Sequence, residues 1–281
     1  MKKAFLKWAG GKSALVPQIL ALVPPDERKG TFYEPFVGSG VVAMNVPFQS
    51  IVINDLNPGV VACWKKLQTG GERFIKDCKD FFIPETNTAD SFYGLRETFN
   101  ELAAAGETLD DRERAQYAAL FIYLNRHCFN GLCRFNSKGE FNVPYGKYAK
   151  PYFPEEELRN GVELARKSMI TRYDFADVMN MAQEGDVVYC DPPYLPLSET
   201  SNFTAYSAGG FSMDDQIRLK DRAERLRDRG VTVIISNNDT PLARKLYKKA
   251  DEIKSIQVAK RISCKADGRK KSGEVLVVYR P

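Results

Sequence analysis

The stretch Asp191-Pro192-Pro193-Tyr194 sets a carboxylate, two peptide units without an N–H and an aromatic ring at the end of the apolar run Val187–Cys190. Proline fixes φ and donates no hydrogen bond, so a strand stops there and its carbonyls can face a cleft as acceptors. A carboxylate and one such carbonyl make two acceptors, matching the two hydrogens of an exocyclic amino group on a planar base. Tyr194 offers a face on which that base could stack. Binding both hydrogens returns electron density to a nitrogen whose lone pair is otherwise conjugated into the ring. The chemistry is then done by preorganised charge rather than by an acid–base pair. The alternative is a cis-proline or kinked turn whose aspartate caps the next helix.

Two further signals belong to the same edge of a sheet. "FVGSG" (36–40) follows a short aromatic strand, and Asp55 closes the apolar run 51–53. The loop lacks the third glycine of the dinucleotide fingerprint, and no phosphate-binding P-loop follows it. Its glycines allow a ligand close to the backbone, and a carboxylate at the next strand end suits two ribose hydroxyls. The pair points to a nucleoside-type cofactor, with or without phosphates.

Strand, glycine turn, helix ("VVAMNV" entering it), strand and acidic residue begin a doubly wound, mostly parallel α/β fold. The alternation then stops. From 58 to 154 apolar residues recur at three and four, predicting helices in "VVACWKKLQTG", "GERFIKDCKDFF", "SFYGLRETFNELAAAG" and "RERAQYAALFIYLNRH". "FNGLCRFNSKGEFNVPYGKY" (129–148) reads as a loop and β-hairpin turning at 137–139. Alternation resumes with a helix in "PEEELRNGVELARKS", a strand in "MITRYDF" ending at Asp174-Phe175, and the strand "DVVYC". Ser212 and Asp215 form a capping box before "MDDQIRLKDRAERLRDRG". "VTVIIS" is a central strand, and "EIKSIQV" with "EVLVVY" a terminal hairpin. The expected organisation is an α/β domain of 1–57 and 155–281 carrying a helical domain of 58–154.

No apolar run approaches the ~20 residues of a membrane span, and nothing after "MKK" resembles a secretory signal. The six cysteines form no C-x-x-C pair, and one histidine, His127, cannot complete an ordinary zinc set. No metal is expected, and free thiols suit a cytoplasmic protein. His127 beside Cys128 reads as a histidine near a helix end with buried thiols. The net charge of +5 admits a polyanionic partner without demanding one. The basic stretch 260–273 reads as a solvated loop.

"KWAGGK" (7–12), "EPFVGSG" (34–40) and "DPPY" (191–194), in that order around an insertion, resemble the Dam-type DNA adenine-N6 methyltransferases of the α group. "LNRHCFNGLCRFN" (124–136), "GEFNVPYGKYAKPYFPE" (139–155) and "SNFTAY" (201–206) extend the resemblance over nearly the whole chain. It implies a class I methyltransferase-like fold, S-adenosylmethionine as cofactor and an adenine flipped out of double-stranded DNA as substrate. Trp8 and Lys12 would hold the methionine end. Phe36, Gly38 and Gly40 would line the cofactor loop, Asp55 would take the ribose hydroxyls, and Asp174 and Phe175 would lie near the cofactor's adenine. Asp191 and the Pro192 carbonyl would receive the target amine, with Tyr194 stacked on the base and Asp191 also close to the cofactor.

Site reading would fall to Lys7, Phe129, Asn130, Leu132, Arg134, Pro144 and Tyr148, the pattern that accompanies GATC. A guanidinium can bond guanine O6 and N7 together, while Leu or Pro can meet a thymine methyl. Phe129-Asn130 would fill the gap left by the flipped base. His127-Cys128 departs from the Tyr-Gly of the family pattern, which touches phosphate and flanking contacts. The enzyme is expected to work as a monomer. Competing readings are a methyltransferase acting on RNA or on a protein amide, against which the first residue of "DPPY" speaks, and a catalytically silent DNA-binding protein.

Overall fold

A computed structural model describes every residue except 24, 196–210 and 259–271. "SNFTAY" and almost all of the basic stretch therefore lie outside the described residues. In chain order the elements are α1 (Val16–Ala21), β1 (Thr31–Glu34), β2 (Ser50–Asn54), α2 (Pro58–Lys79), α3 (Ala89–Ala105), α4 (Asp111–His127), α5 (Glu155–Arg166), β3 (Ser168–Thr171), α6 (Phe175–Asn180), β4 (Val187–Cys190), α7 (Met213–Arg227), β5 (Thr232–Asn238), α8 (Pro241–Leu246), β6 (Glu252–Val258) and β7 (Ser272–Tyr279). They divide into two compact units. One comprises Met1–Ser13, Gly38–Asn45 and Asp55–Arg172, the other Ala14–Val37, Val46–Asn54 and Tyr173–Pro281.

The second unit is the α/β layer. Its strands lie in the order β2-β1-β4-β5-β7-β6, parallel from β2 to β5 and antiparallel where β7 joins β5 and β6. Strands covered on both faces need near-continuous apolar runs, and β4 and β5 are buried throughout. β1 has β2 on one side and β4 on the other, so the strand order reverses there, which is where such sheets bind ligands beyond their carboxyl ends. The capping box of α7 is present, Ser212 and Asp215 each accepting the other's backbone N–H.

The first unit is helical. α2, α3 and α4 all form where the periodicity predicts them. α2 joins two of the predicted segments into one 22-residue helix, bent at Gly71 (φ 50°, ψ −129°). α4 opens with a capping box of Asp110 and Glu113 and buries its last eleven residues, Tyr117 to His127.

Three expectations need correction. The helix expected after the glycine loop is only a 3₁₀ turn, Ala43–Asn45. Pro47 follows it, and the Asn45 amide bonds the Val41 and Lys2 carbonyls (2.7 and 3.0 Å) rather than leaving the backbone to propagate. The strand expected to end at Asp174-Phe175 stops at Thr171; Asp174 caps α6 and Phe175 begins it. The hairpin of 129–148 lacks a continuous ladder and is held by isolated antiparallel bridges, Cys128 to Tyr145 and Phe135 to Phe141. Its tip does turn where expected. Gly139 has φ 80°, and the Asn136 carboxylamide oxygen accepts from the Lys138 and Glu140 N–H groups at 2.9 and 3.0 Å.

Candidate functional site

In the α/β unit, the turn after β4 is held by side chains from other elements. The Pro193 carbonyl accepts from Gln216 Nε2 at 2.7 Å, and Tyr194 Oη donates to Glu274 Oε2 at 2.8 Å. The Leu195 N–H donates to Asn237 Oδ1 at 2.9 Å, and its carbonyl accepts from Asn238 Nδ2. No peptide bond is cis among the described residues, so the kink comes from consecutive trans prolines. Asp191 is half-buried and Pro192 buried. Burial and the Asp191 charge push both the Tyr189 and Tyr194 phenols well above their usual range, so Tyr194 stays neutral.

The carboxyl end of β1 lies beside this turn, with Tyr33 paired to Val188. Phe36 stacks on Phe175 (centroids 5.4 Å, 29°) and meets the edge of Phe211 at 5.6 Å. The Arg218 guanidinium lies 5.0 Å from the Phe175 ring and bonds Asp174 Oδ1 at 2.8 Å. Asp174 is thus committed to an ion pair and a helix cap. Asn54, fully buried, ties these ends together. Its amide donates to the Pro35 and Tyr173 carbonyls at 2.9 and 3.1 Å and accepts from the Tyr173 N–H at 2.8 Å.

In the helical unit, the glycine loop is packed between both tryptophans of the chain. A Cβ on Gly38 (φ 46°) would sit 2.6 Å from Trp8 Nε1, and one on Gly40 (φ 69°) 2.3 Å from Trp64 Cζ2. Only glycine serves at either position. Trp64 Nε1 donates to the Gly38 carbonyl at 3.4 Å. Asp55 braces the loop: Oδ2 accepts from the Gly38 N–H and Oδ1 from the Asn57 N–H, both at 2.9 Å. Burial raises the Asp55 carboxyl above its usual value, opposed by these backbone donors. The Lys12 ammonium is buried and donates to the Gly10 carbonyl.

The same unit gathers the residues expected to read DNA. Asn125 brackets Lys7 as a strand partner would, accepting from its N–H and donating to its carbonyl at 2.8 Å each. Lys7 is thereby laid over Gly131 (φ 63°), where an added Cβ would come within 2.2 Å of Lys7 Cδ, and its ammonium lies 4.7 Å from the Tyr148 ring. Burial and Arg126 both lower the Lys7 pKa. Phe129, Asn130, Arg134 and Pro144 are exposed, and Leu132 is half-buried. The Phe129 N–H donates to the Pro144 carbonyl at 2.9 Å, and Asn130 holds a left-handed φ of 54°. Arg134 Nε donates to Asn142 Oδ1 at 2.9 Å.

The structure therefore joins Trp8 to Gly38 and Asp55, Phe36 to Phe175, and Lys7 to Tyr148. Sequence reasoning missed the supports: Asn54, Trp64, Asn125, Asn142, Gln216, Asn237, Asn238 and Glu274. A polar residue closing a buried strand was the available signal for Asn54, Asn237 and Asn238. His127 is a satisfied-ring case only in part. Its Nδ1 meets the Tyr123 carbonyl at 2.9 Å, whereas buried Nε2 has no partner, and burial lowers its pKa to about 4. Among the described residues no group of three or more His, Cys, Asp or Glu side chains could hold a metal, and no helix is long and apolar enough to cross a membrane.

Residues 8–262 match the family described as D12 class N6 adenine-specific DNA methyltransferase. The chain is 41% identical to the DNA adenine methylase of Escherichia coli (strain K12) over 283 aligned positions, covering all of this chain and 97% of that one. It is 43% identical to the DNA adenine methylase of Serratia marcescens, covering both chains completely. With that of Vibrio cholerae the identity is 41%, over 100% of this chain and 97% of the other.

Proposed function

The chain belongs to the D12 class of N6 adenine-specific DNA methyltransferases, and from that premise we propose that it methylates the adenine of GATC in duplex DNA after flipping the base out of the helix. S-adenosylmethionine, when bound, supplies an electrophilic methyl on a sulfonium. The residues present fit such a group. Asp55 accepts from the Gly38 and Asn57 N–H groups and also feels that of Leu56, which leaves acceptor capacity on a carboxylate of about four lone-pair sites for a ribose hydroxyl. Gly38 and Gly40 offer backbone without side chains. Lys12 brings a buried ammonium for a carboxylate and Trp8 an indole beside Gly38. In the α/β unit Phe36 and Phe175 offer stacked rings, while Asp174, held by Arg218 and its helix cap, positions Phe175 rather than a ligand.

The observation that carries the reading is the turn after β4. With the Pro193 carbonyl engaged by Gln216, the Pro192 carbonyl and the Asp191 carboxylate serve as the pair of acceptors for the adenine N6 hydrogens. Holding both draws the lone pair out of ring conjugation, and the Asp191 charge stabilises the positive charge that develops on N6. Tyr194, its hydroxyl tied to Glu274, presents a fixed ring face to the base. Lys7, Phe129, Asn130, Leu132, Arg134, Pro144 and Tyr148 read and fill the duplex, with 58–154 as the target-recognition part. The protein acts as a monomer in the cytoplasm.

The test is transfer of labelled methyl from S-adenosylmethionine to GATC duplex, RNA and protein. Label should reach N6 of adenine in DNA alone, and Asp191→Ala should slow transfer by ~10²–10³-fold, the usual worth of one such group, while remaining folded. Near-parental turnover of that variant would remove Asp191 from the chemistry.

A further inference from the structure

The turn after β4 carries two successive backbone carbonyls that can serve as acceptors, those of Pro192 and Pro193. The second is taken by a residue of α7. Gln216 is fully buried, and both ends of its carboxamide are used. Nε2 donates to the Pro193 carbonyl at 2.7 Å, while Oε1 accepts from Tyr247 Oη at 3.1 Å and from Asn237 Nδ2 at 3.2 Å. A rotated amide would set donor against donor, so this network fixes one orientation. Asn237 is fixed in turn, because its Oδ1 accepts from the Leu195 and Asn238 N–H groups at 2.9 Å each. Gln216 of α7, Glu274 of β7 and Asn237 and Asn238 of β5 thus hold three successive positions of one turn, 193 to 195, with Tyr247 at the end of α8 bonded to Gln216 behind them.

We propose that Gln216 is a positioning residue for methyl transfer: by holding the Pro193 carbonyl, it leaves the Pro192 carbonyl and Asp191 as the two acceptors presented to the target amine. This rests on the reading of Asp191 and Pro192 given above. Tyr247 acts one step further out, holding Gln216 in its donating orientation. Position 216 is then responsible for where the amine is held, and neither for cofactor nor for DNA affinity.

The experiment uses the full chain on GATC duplex, with single-turnover transfer at saturating cofactor and DNA, KM for both, and Asp191→Ala in parallel. Gln216→Leu should lower the transfer rate by ~10–100-fold, as a small misplacement of a reacting group does, with both KM values unchanged. Tyr247→Phe, which keeps the ring and loses one bond to Oε1, should lower it by roughly 2–10-fold, the worth of one hydrogen bond. Gln216→Glu separates positioning from packing. Its carboxylate cannot donate to the Pro193 carbonyl, but its protonated form can, so its rate relative to the parent should recover as pH falls. The parent carries the titrations of Asp191, Tyr194, Glu274 and Tyr247 around the same turn, and the ratio cancels them. Unchanged rates in folded Gln216→Leu, or rates lost only through raised KM, overturn the proposal. Should Gln216→Leu fail to fold, parental turnover in Tyr247→Phe with a pH-independent Gln216→Glu ratio overturns it equally. Parental activity in Asp191→Ala instead overturns the underlying reading of the turn, whatever position 216 does.

Discussion

Asp55 shows how one side chain can brace a loop and still be a candidate acceptor for a ligand. Its two oxygens brace the glycine loop and the start of α2, and the same oxygens are the proposed ribose acceptors. Asp55→Ala should weaken S-adenosylmethionine binding by roughly 1.5–3 kcal/mol, the range for hydrogen bonds to a charged group, with DNA affinity measured without cofactor unchanged. Calorimetric titration checks both. Because burial raises this carboxyl, the accepting carboxylate is lost on acidification at a higher pH than an ordinary aspartate would give. Cofactor affinity of the parent should fall from that higher pH, and Asp55→Ala should lack the fall. Arg134 presents the other residue-scale choice, between aimed contact and phosphate clamp. Asn142 holds its Nε, which orients the rest of the guanidinium. Arg134→Ala should therefore lose roughly 1–3 kcal/mol of discrimination at one outer base pair, read as kcat/KM on GATC against single-pair variants at fixed salt. Equal slowing on every duplex would make it a clamp.

At the scale of elements, the end of α4 carries a testable cost. His127 sits among Tyr123 and Phe82, with ring centroids 3.9 and 4.8 Å away. Its pKa falls from 6.5 to about 4 on folding, so the unfolded chain binds the proton more readily. Stability is intact above about pH 6.5 and drains away as pH drops toward 4, by at most a few kcal/mol, since one pKa unit corresponds to ~1.4 kcal/mol. His127→Phe should flatten that dependence when urea midpoints are compared between neutral pH and pH 5. The helices themselves were legible, because apolar spacing and the Ser212–Asp215 box are local signals. The 3₁₀ turn at Ala43–Asn45 was not, since the Asn45 amide reaches the backbone of Lys2, 43 residues away. The supports of the turn after β4 were hidden for the same reason. Gln216 and Pro193 are 23 residues apart and Tyr194 and Glu274 are 80 apart, so motif residues could be picked out while the side chains that hold them could not.

Over the whole molecule, the chain passes between its two compact units at 13/14, 37/38, 45/46, 54/55 and 172/173. Helical periodicity marked 58–154, yet the unit around it also holds residues 1–13, because Asn125 and Arg126 grip the backbone of Lys7 and Phe5. The formal charge of +5 bears on the two ligands unequally. DNA affinity should fall with a log–log salt slope of about −0.9 for each phosphate neutralised. Cofactor affinity should stay nearly flat, because the Lys12 ammonium is buried and poorly screened. Parallel titrations of both ligands across a salt series check the contrast, and a cofactor slope as steep as that of DNA would place its charged contacts at the surface.

The packing of the glycine loop has an optical consequence. Trp8 and Trp64 are the chain's entire indole content, and both lie against Gly38–Gly40. Trp64 is fully buried, whereas Trp8 is only partly so. The intrinsic emission of this protein is therefore a local signal with a blue, protected component and a redder one open to quenchers. A ligand that covers the loop changes the second and spares the first, so the enzyme reports the state of its own glycine loop without a label.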